Sequence, residues 1–169
     1  ISSLPLSFGH TPRMCYIGHM ESTPILLTEG QCGYIAGILD GEGWLGITIR
    51  KRAWKRSIVP HYHRPACVVG QAKAPILDWL MNTLGSRDIG VDRRSQFQNL
   101  RLHPPCLRWM LPQVLPWLVL KRRQAEILIE FMADCRYKGK ELTHEQWAKR
   151  EQLRIEIMQL NEKPRGRFS

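Results

Sequence analysis

Residues 33–47 read GYIAGILDGEGWLGI, and the two halves of this run obey different periods. In the first half Gly33, Ala36, Gly37 and Gly41 recur at spacings of three and four, which lines small residues along one side of a helix. A glycine in a helix interior costs roughly 1 kcal/mol against alanine, so a compensating contact is expected. Small side chains let another backbone approach closely, and two readings stay open here: packing against the chain's own sheet, or against a second helix. Thr28 with Gln31 three places on is a capping-box pattern, so the helix is expected to start there and run to about Asp40, with Gly41 and Gly43 as its stop. From Trp44 the period becomes two. Leu45, Ile47 and Ile49 share one face and Thr48, Arg50 and Arg52 the other, which predicts a strand with an apolar inner side and a cationic outer side.

Working outward, a Lys/Arg-rich turn leads to a second strand over about His61 to Gln71, rich in Val, Tyr and His. Pro75 opens a short helix carrying Ile76, Leu77, Leu80 and Leu84, closed by Gly85. A weaker hairpin spans about Val91 to Leu102, with Arg93, Ser95, Asn99 and Arg101 on one parity and Leu100 and Leu102 on the other. Helices are expected over about Pro105 to Leu115, punctuated by Pro116, and over Lys121 to Arg136, with Ile127, Leu128 and Phe131 as an apolar stripe. Thr143 and Gln146 form a second capping box for a last helix to about Leu160, whose core stripe is Leu153, Ile157 and Leu160. The order α-β-β-α-β-β-α plus C-terminal helices predicts an α+β fold around one four-stranded antiparallel sheet. Residues 1–27 hold Pro5, Pro12, Pro24, Gly9 and Gly18 without a clean period and read as an arm; 28–138 form the main domain and 139–169 a C-terminal helix with a basic tail.

At 169 residues and 43% hydrophobic content the chain can bury one core. A formal charge of +10 points to an anionic partner, nucleic acid first. The distribution is more telling than the sum. No acid falls between Glu42 and Asp78, where Arg50, Lys51, Arg52, Lys55, Arg56, Arg64 and Lys73 lie. None falls from Arg93 to Ala125 either, a stretch that carries Arg93, Arg94, Arg101, Arg108, Lys121, Arg122 and Arg123. Surfaces usually mix both signs, so one-sign segments suggest a field for phosphates. Cys15, Cys32, Cys67, Cys106 and Cys135 contain no C-x-x-C pair, which argues against a zinc site or a disulfide framework and for buried or idle thiols in a reducing compartment. No apolar run approaches the ~18 residues of a membrane span, so no membrane partner is expected. His61 and His63 share a strand face; a phosphate-facing or solvated pair is expected ahead of a metal site. Trp54, in the basic turn, is set apart as a stacking candidate.

The run from Ile35 to Gly43 resembles the signature of the LAGLIDADG homing endonucleases, with that family's α-β-β-α-β-β-α order around it over roughly residues 28–138. "PWLVLKRRQA", from Pro116 to Ala125, is similar to the segment that supplies the catalytic lysine of single-motif members, here Lys121. "VVGQAK" resembles the end of their second strand, where a glutamine sits beside the active site, here Gln71. One departure stands out: Glu42 occupies a place where aspartate is commoner.

This resemblance implies a site-specific, intron-encoded DNA endonuclease that hydrolyses phosphodiesters with Mg2+ (or Mn2+). Such a chain with one motif would act as a homodimer on double-stranded DNA, in a mitochondrion or chloroplast. Gly33, Gly37 and Gly41 would form the dimer seam. Two carboxylates and two negative helix ends would then meet near one point, a situation that calls for divalent cations. A hard cation there takes oxygen ligands, which Glu42 and the Gly41 carbonyl would supply together with substrate phosphate. Lys121 would stabilise charge on the phosphate and Gln71 would help to position water. Asp40 is read as a structural helix-end residue rather than a ligand. Thr48, Arg50, Arg52, Arg64, Arg93, Asn99 and Arg101 are the candidates for contacting bases or phosphates in the major groove. The alternative from another class is a catalytically silent relative that binds structured or ribosomal RNA, as an intron maturase or an RNA-associated structural protein, with the same basic sheet.

Overall fold

A computed structural model of the chain describes residues 24–51, 61–72, 75–85, 89–92, 97–134 and 142–162, with the backbone alone described at 51, 71–72, 89–92 and 97. Arg52, Trp54, Arg93, Ser95, Cys15, Cys135 and the basic tail lie outside the described residues.

Helix α1 (Glu29–Glu42) opens on the expected capping box: Thr28 Oγ1 accepts from the Gln31 N–H at 3.3 Å, and Gln31 Oε1 accepts from the Thr28 N–H at 2.9 Å. It runs two residues past the expected end at Asp40, through Gly41 to Glu42. The stop is Gly43 alone, extended at φ −80 and ψ 143, with its N–H on the Leu39 carbonyl. Closeness rather than a left-handed φ demands glycine there, because a Cβ would sit 2.7 Å from the Leu39 oxygen and 2.8 Å from the Leu39 Cα. Gly43→Ala is expected to lower stability by about 1–3 kcal/mol through this overpacking. A urea midpoint that falls at unchanged slope would bear this out; an unmoved midpoint would contradict it.

The chain leaves α1 directly into β1 (Gly43–Lys51) and returns as β2 (His61–Ala72). Helix α2 (Pro75–Leu84) carries it to β3 (Ile89–Asp92) and β4 (Phe97–Leu102). All strand pairs are antiparallel and the sheet order is β1-β2-β4-β3. Helices α3 (Pro104–Val114), α4 (Arg122–Asp134) and α5 (His144–Asn161) follow, with Pro116 inside a 3-10 turn between α3 and α4. The expected α+β class, helices with an antiparallel sheet, is what forms.

All the helices contribute to one core, against one face of the sheet. Ile35 and Leu39 of α1, Leu45, Cys67, Val69 and Leu100 of the sheet, Met110 and Leu111 of α3, Leu128 and Phe131 of α4 and Ile157 of α5 are all buried together. The alternation in β1 holds up to Ile47; Ile49, at the far end of the strand, is exposed. In α5 the stripe consists of Leu153 and Ile157, while Leu160 is exposed and Asn161 anchors the helix end through an Nδ2–H bond to the Leu45 carbonyl at 2.7 Å. The last residues of the presumed arm are docked: Leu27 is buried, its N–H donates to Gln113 Oε1 at 3.0 Å, and Gln113 Nε2 donates to the Ile25 and Trp109 carbonyls.

Candidate active site and nucleic-acid face

The C-terminal end of α1 is built by residues about 80 positions apart in sequence. Asp40 Oδ2 accepts the Val119 N–H and Oδ1 the Lys121 N–H, both at 2.8 Å, so this carboxylate pins the segment entering α4 to the helix end. Lys121 reciprocates: its Nζ donates to the Leu39 carbonyl at 2.6 Å and the Asp40 carbonyl at 2.7 Å. An ammonium on terminal helix carbonyls is the favourable placement for a cation against the helix dipole. Burial pushes the Lys121 pKa below its ordinary value, and the nearby charges of Asp40 and Glu42 push back. An ammonium has three donors and these carbonyls engage two.

Glu42 is the last residue of α1 rather than the first beyond it, and it is exposed. The Gly41 carbonyl, among the last four of the helix, has no intrahelical partner. A carboxylate and a carbonyl are donors suited to a hard divalent cation. Both Asp40 oxygens already hold backbone N–H groups, which leaves Glu42 as the unengaged carboxylate at this place among the described residues. The structure thus joins Gly41, Glu42 and Lys121 around one helix end. Gln71 lies two residues beyond Val69, the register partner of Gly43, and opposite Gln98; its side chain is outside those described.

The glycine face of α1 divides. Ala36, with Ile35, Ile38 and Leu39, belongs to the buried side. Gly37 and Gly41 are exposed, and a Cβ on either would meet no atom within 4 Å, so the chain's own sheet is not what they pack against. Gly33 differs, since the Trp117 ring lies 3.6 Å from where its Cβ would be. Beside this open face stand exposed apolar groups: Tyr34 on α1 itself, and Val119 and Leu120, 81% and 74% exposed, in the segment that Asp40 pins.

The bare side of the sheet carries part of the predicted cationic set. Arg50 and Arg101 are exposed, and Thr48, Arg64 and Asn99 are half-buried. The Thr48 hydroxyl donates to the Arg64 carbonyl across the β1–β2 register, and the Arg64 guanidinium lies 3.2 Å from His103 Nδ1. Trp44 and Tyr62, both exposed, share this side and were missed; the alternation that placed Arg50 would have placed them too. Arg122 and Arg123 do not join it. Arg123 pairs with Glu156 at 2.7 Å and with Glu126 at 3.3 Å, and Arg122 with Glu126 at 3.5 Å. The second basic segment is acid-free along the chain but not in space.

His61 and His63 are neither phosphate-facing nor solvated: they lie on the helix side of β2 beneath α5, with His63 buried. Cys32, Cys67 and Cys106 are buried, and burial raises the pKa of Cys32 and Cys67. Among the described residues no helix is long and apolar enough to cross a membrane.

No family model matches the chain, and no characterised protein matches it by sequence. Solved structures do. The homing endonuclease I-CvuI, in complex with the I-CreI target in the presence of Mg, superposes with a TM-score of 0.68 at 18% identity, over 82% of this chain and 86% of that one. The archaeal intron-encoded homing endonuclease I-Vdi141I, complexed with DNA, gives 0.68 at 16% identity over 83% and 90%. The chain has the LAGLIDADG homing-endonuclease fold. At such identities the likeness carries the fold alone. The meganuclease I-SmaMI, bound to uncleaveable DNA, matches with a TM-score of 0.60 at 16% identity over 73% of this chain but only 43% of its own. In this LAGLIDADG fold the signature helix is α1, and its C-terminal end is the cluster of Gly41, Glu42 and Lys121.

Proposed function

We propose that this chain is a site-specific double-strand DNA endonuclease of the homing type, working as a homodimer with a divalent cation. The observation that carries the reading is the exposed Glu42 carboxylate at the end of α1, with Lys121 held beside it and the glycine face of the same helix left open. Two copies packed through Gly37 and Gly41, flanked by Tyr34, Val119 and Leu120, would bring two Glu42 carboxylates together at one seam. The match to less than half of the longer I-SmaMI chain supports a unit that works as one of a pair.

In such a dimer Mg2+ or Mn2+ at Glu42 and the Gly41 carbonyl would supply Lewis-acid help to phosphodiester hydrolysis. The third Lys121 donor would offset charge growing on the phosphate, and Gln71 would help to orient water. The bare sheet faces of the two copies would lie along the major groove, with Arg50, Arg64, Arg101, Thr48 and Asn99 facing DNA and Arg52 and Arg93 as further contact candidates. Arg50→Ala and Arg101→Ala are each expected to weaken DNA binding and to lower the slope of log K against log salt by about one. Anisotropy titrations over a KCl series read this directly, and slopes unchanged in both variants would contradict the placement.

Selection of cut products from a randomised duplex library, with Mg2+ and then with a chelator, tests the function. One roughly palindromic site cut only with metal is expected. Tight RNA binding with no DNA cut would favour the silent RNA-binding relative instead.

A further inference from the structure

His61 and His63 occupy alternate positions of β2, so both side chains project to the helix side of the sheet. Helix α5 lies over them and presents Trp147 and Glu151, one turn apart. His63 Nε2 is 2.6 Å from Glu151 Oε2, and one donor atom from each of His61, His63 and Glu151 falls within 4.8 Å of the others. Among the described residues three buried nitrogens of this cluster have no hydrogen-bond partner: His61 Nε2, His63 Nδ1 and Trp147 Nε1. Buried polar groups are rarely left so, and His61 brings an imidazole with an unpartnered nitrogen beside the place where His63 Nε2 meets the Glu151 carboxylate. Arg154 grips Glu151 from the far side, with Nε 3.0 Å from both oxygens and a terminal nitrogen 2.6 Å from Oε1.

We propose that His61, His63 and Glu151 form a binding site for one divalent ion of the zinc class, clamping β2 to α5. Two imidazoles and a carboxylate are the composition of open zinc sites, which keep a fourth position for water. Imidazole ligands select Zn2+, Co2+ or Ni2+ over Mg2+ and Ca2+, which take oxygen shells. Two ligands on one tetrahedral ion stand about 3.3 Å apart at zinc bond lengths. The His63–Glu151 pair therefore opens by less than 1 Å from 2.6 Å on binding, and the shared proton moves to the other imidazole nitrogen. The Trp147 indole N–H stands beside both rings and is free to donate to the water in the fourth position. The site is separate from the α1 end and does not depend on the nuclease reading.

The test uses untagged protein, stripped with a chelator that is then removed, titrated with Zn2+ by calorimetry and with Co2+ by visible absorption. One ion per chain is expected, together with the absorption of four-coordinate Co2+, persistence of binding in excess Mg2+, and a Tm rise of roughly 5–10 °C at a hundredfold excess over Kd. His61→Gln and Glu151→Gln should each weaken binding roughly tenfold or more, since even changes behind the ligands have effects of that order. His61 Nε2 holds no partner among the described residues, so His61→Gln stays informative if variants at the more buried His63 fail to fold. Folded wild-type protein that takes up no stoichiometric Zn2+, or binding that His61→Gln leaves unchanged, overturns the proposal.

Discussion

A Glu42→Gln variant is expected to bind its DNA site with wild-type affinity and to cut it about a hundredfold or more slowly, an effect of the size seen when one group that stabilises a transition state is removed. The substitution keeps size and shape and removes the charge. Glu42 is exposed and no described hydrogen bond uses its side chain, so the fold does not depend on it. Helix α1 would still end on Gly43 and Lys121 would still rest on the Leu39 and Asp40 carbonyls. What disappears is the carboxylate proposed to meet the cation. A single-turnover assay with labelled duplex separates binding from cutting. Cleavage at the wild-type rate would remove Glu42 from the chemistry.

Asp40→Ala is the change with the largest expected effect on stability among those at the helix end. It removes the acceptor for two backbone N–H groups, Val119 and Lys121, at 2.8 Å each. Hydrogen bonds to a charged group contribute about 1.5–3 kcal/mol when removal leaves partners unsatisfied; this residue is only half-buried, so about 2–3 kcal/mol in total is expected. For a chain of this size that is a fall in Tm of roughly 5–10 °C. The same change frees the segment that carries Lys121, so cleavage should fall as well, more than the loss of folded protein explains. Asp40→Asn, which keeps one acceptor oxygen, should lie between. A thermal midpoint for Asp40→Ala equal to the wild type would mean that this carboxylate does not hold the segment.

The contrast between Asp40 and Glu42 shows which parts of the site were legible in the sequence. Their division into a structural and a free carboxylate could be stated from helix-end reasoning, and both capping boxes formed as their spacing predicts. The exit of α1 was set two residues early because Gly41 looks like a breaker, whereas the steric demand falls on Gly43, where the strand turns off against Leu39. That contact exists only once helix and strand are both in place. The Lys121 bonds to α1 cross more than 80 residues, and no local period encodes them; only the resemblance pointed to this lysine. Arg123 reads as part of a cationic field because Glu156, which holds it, lies 33 residues away on α5, whereas the pairs of Arg122 and Arg123 with Glu126 lie at helical spacings of four and three. For His61 the signal was present and outweighed: it shares the parity of Cys67 and Val69, which marks the buried side of β2, but polar residues near a basic turn suggest a wet surface. Glu151, the partner of His63 from α5, could not be found by spacing at all.

The dimer seam is the joint on which the proposed function turns, and sedimentation equilibrium of wild type beside Gly37→Leu tests it most directly. A Cβ at Gly37 meets nothing within 4 Å in the single chain, and leucine is the better helix former, so the monomer should gain up to about 1 kcal/mol while losing the close approach of a second helix. Wild type is expected at twice the 19.7 kDa of one chain at micromolar concentration without DNA, and folded Gly37→Leu at 19.7 kDa. A monomeric wild type, or a Gly37→Leu protein that remains a dimer, would contradict the paired-helix site.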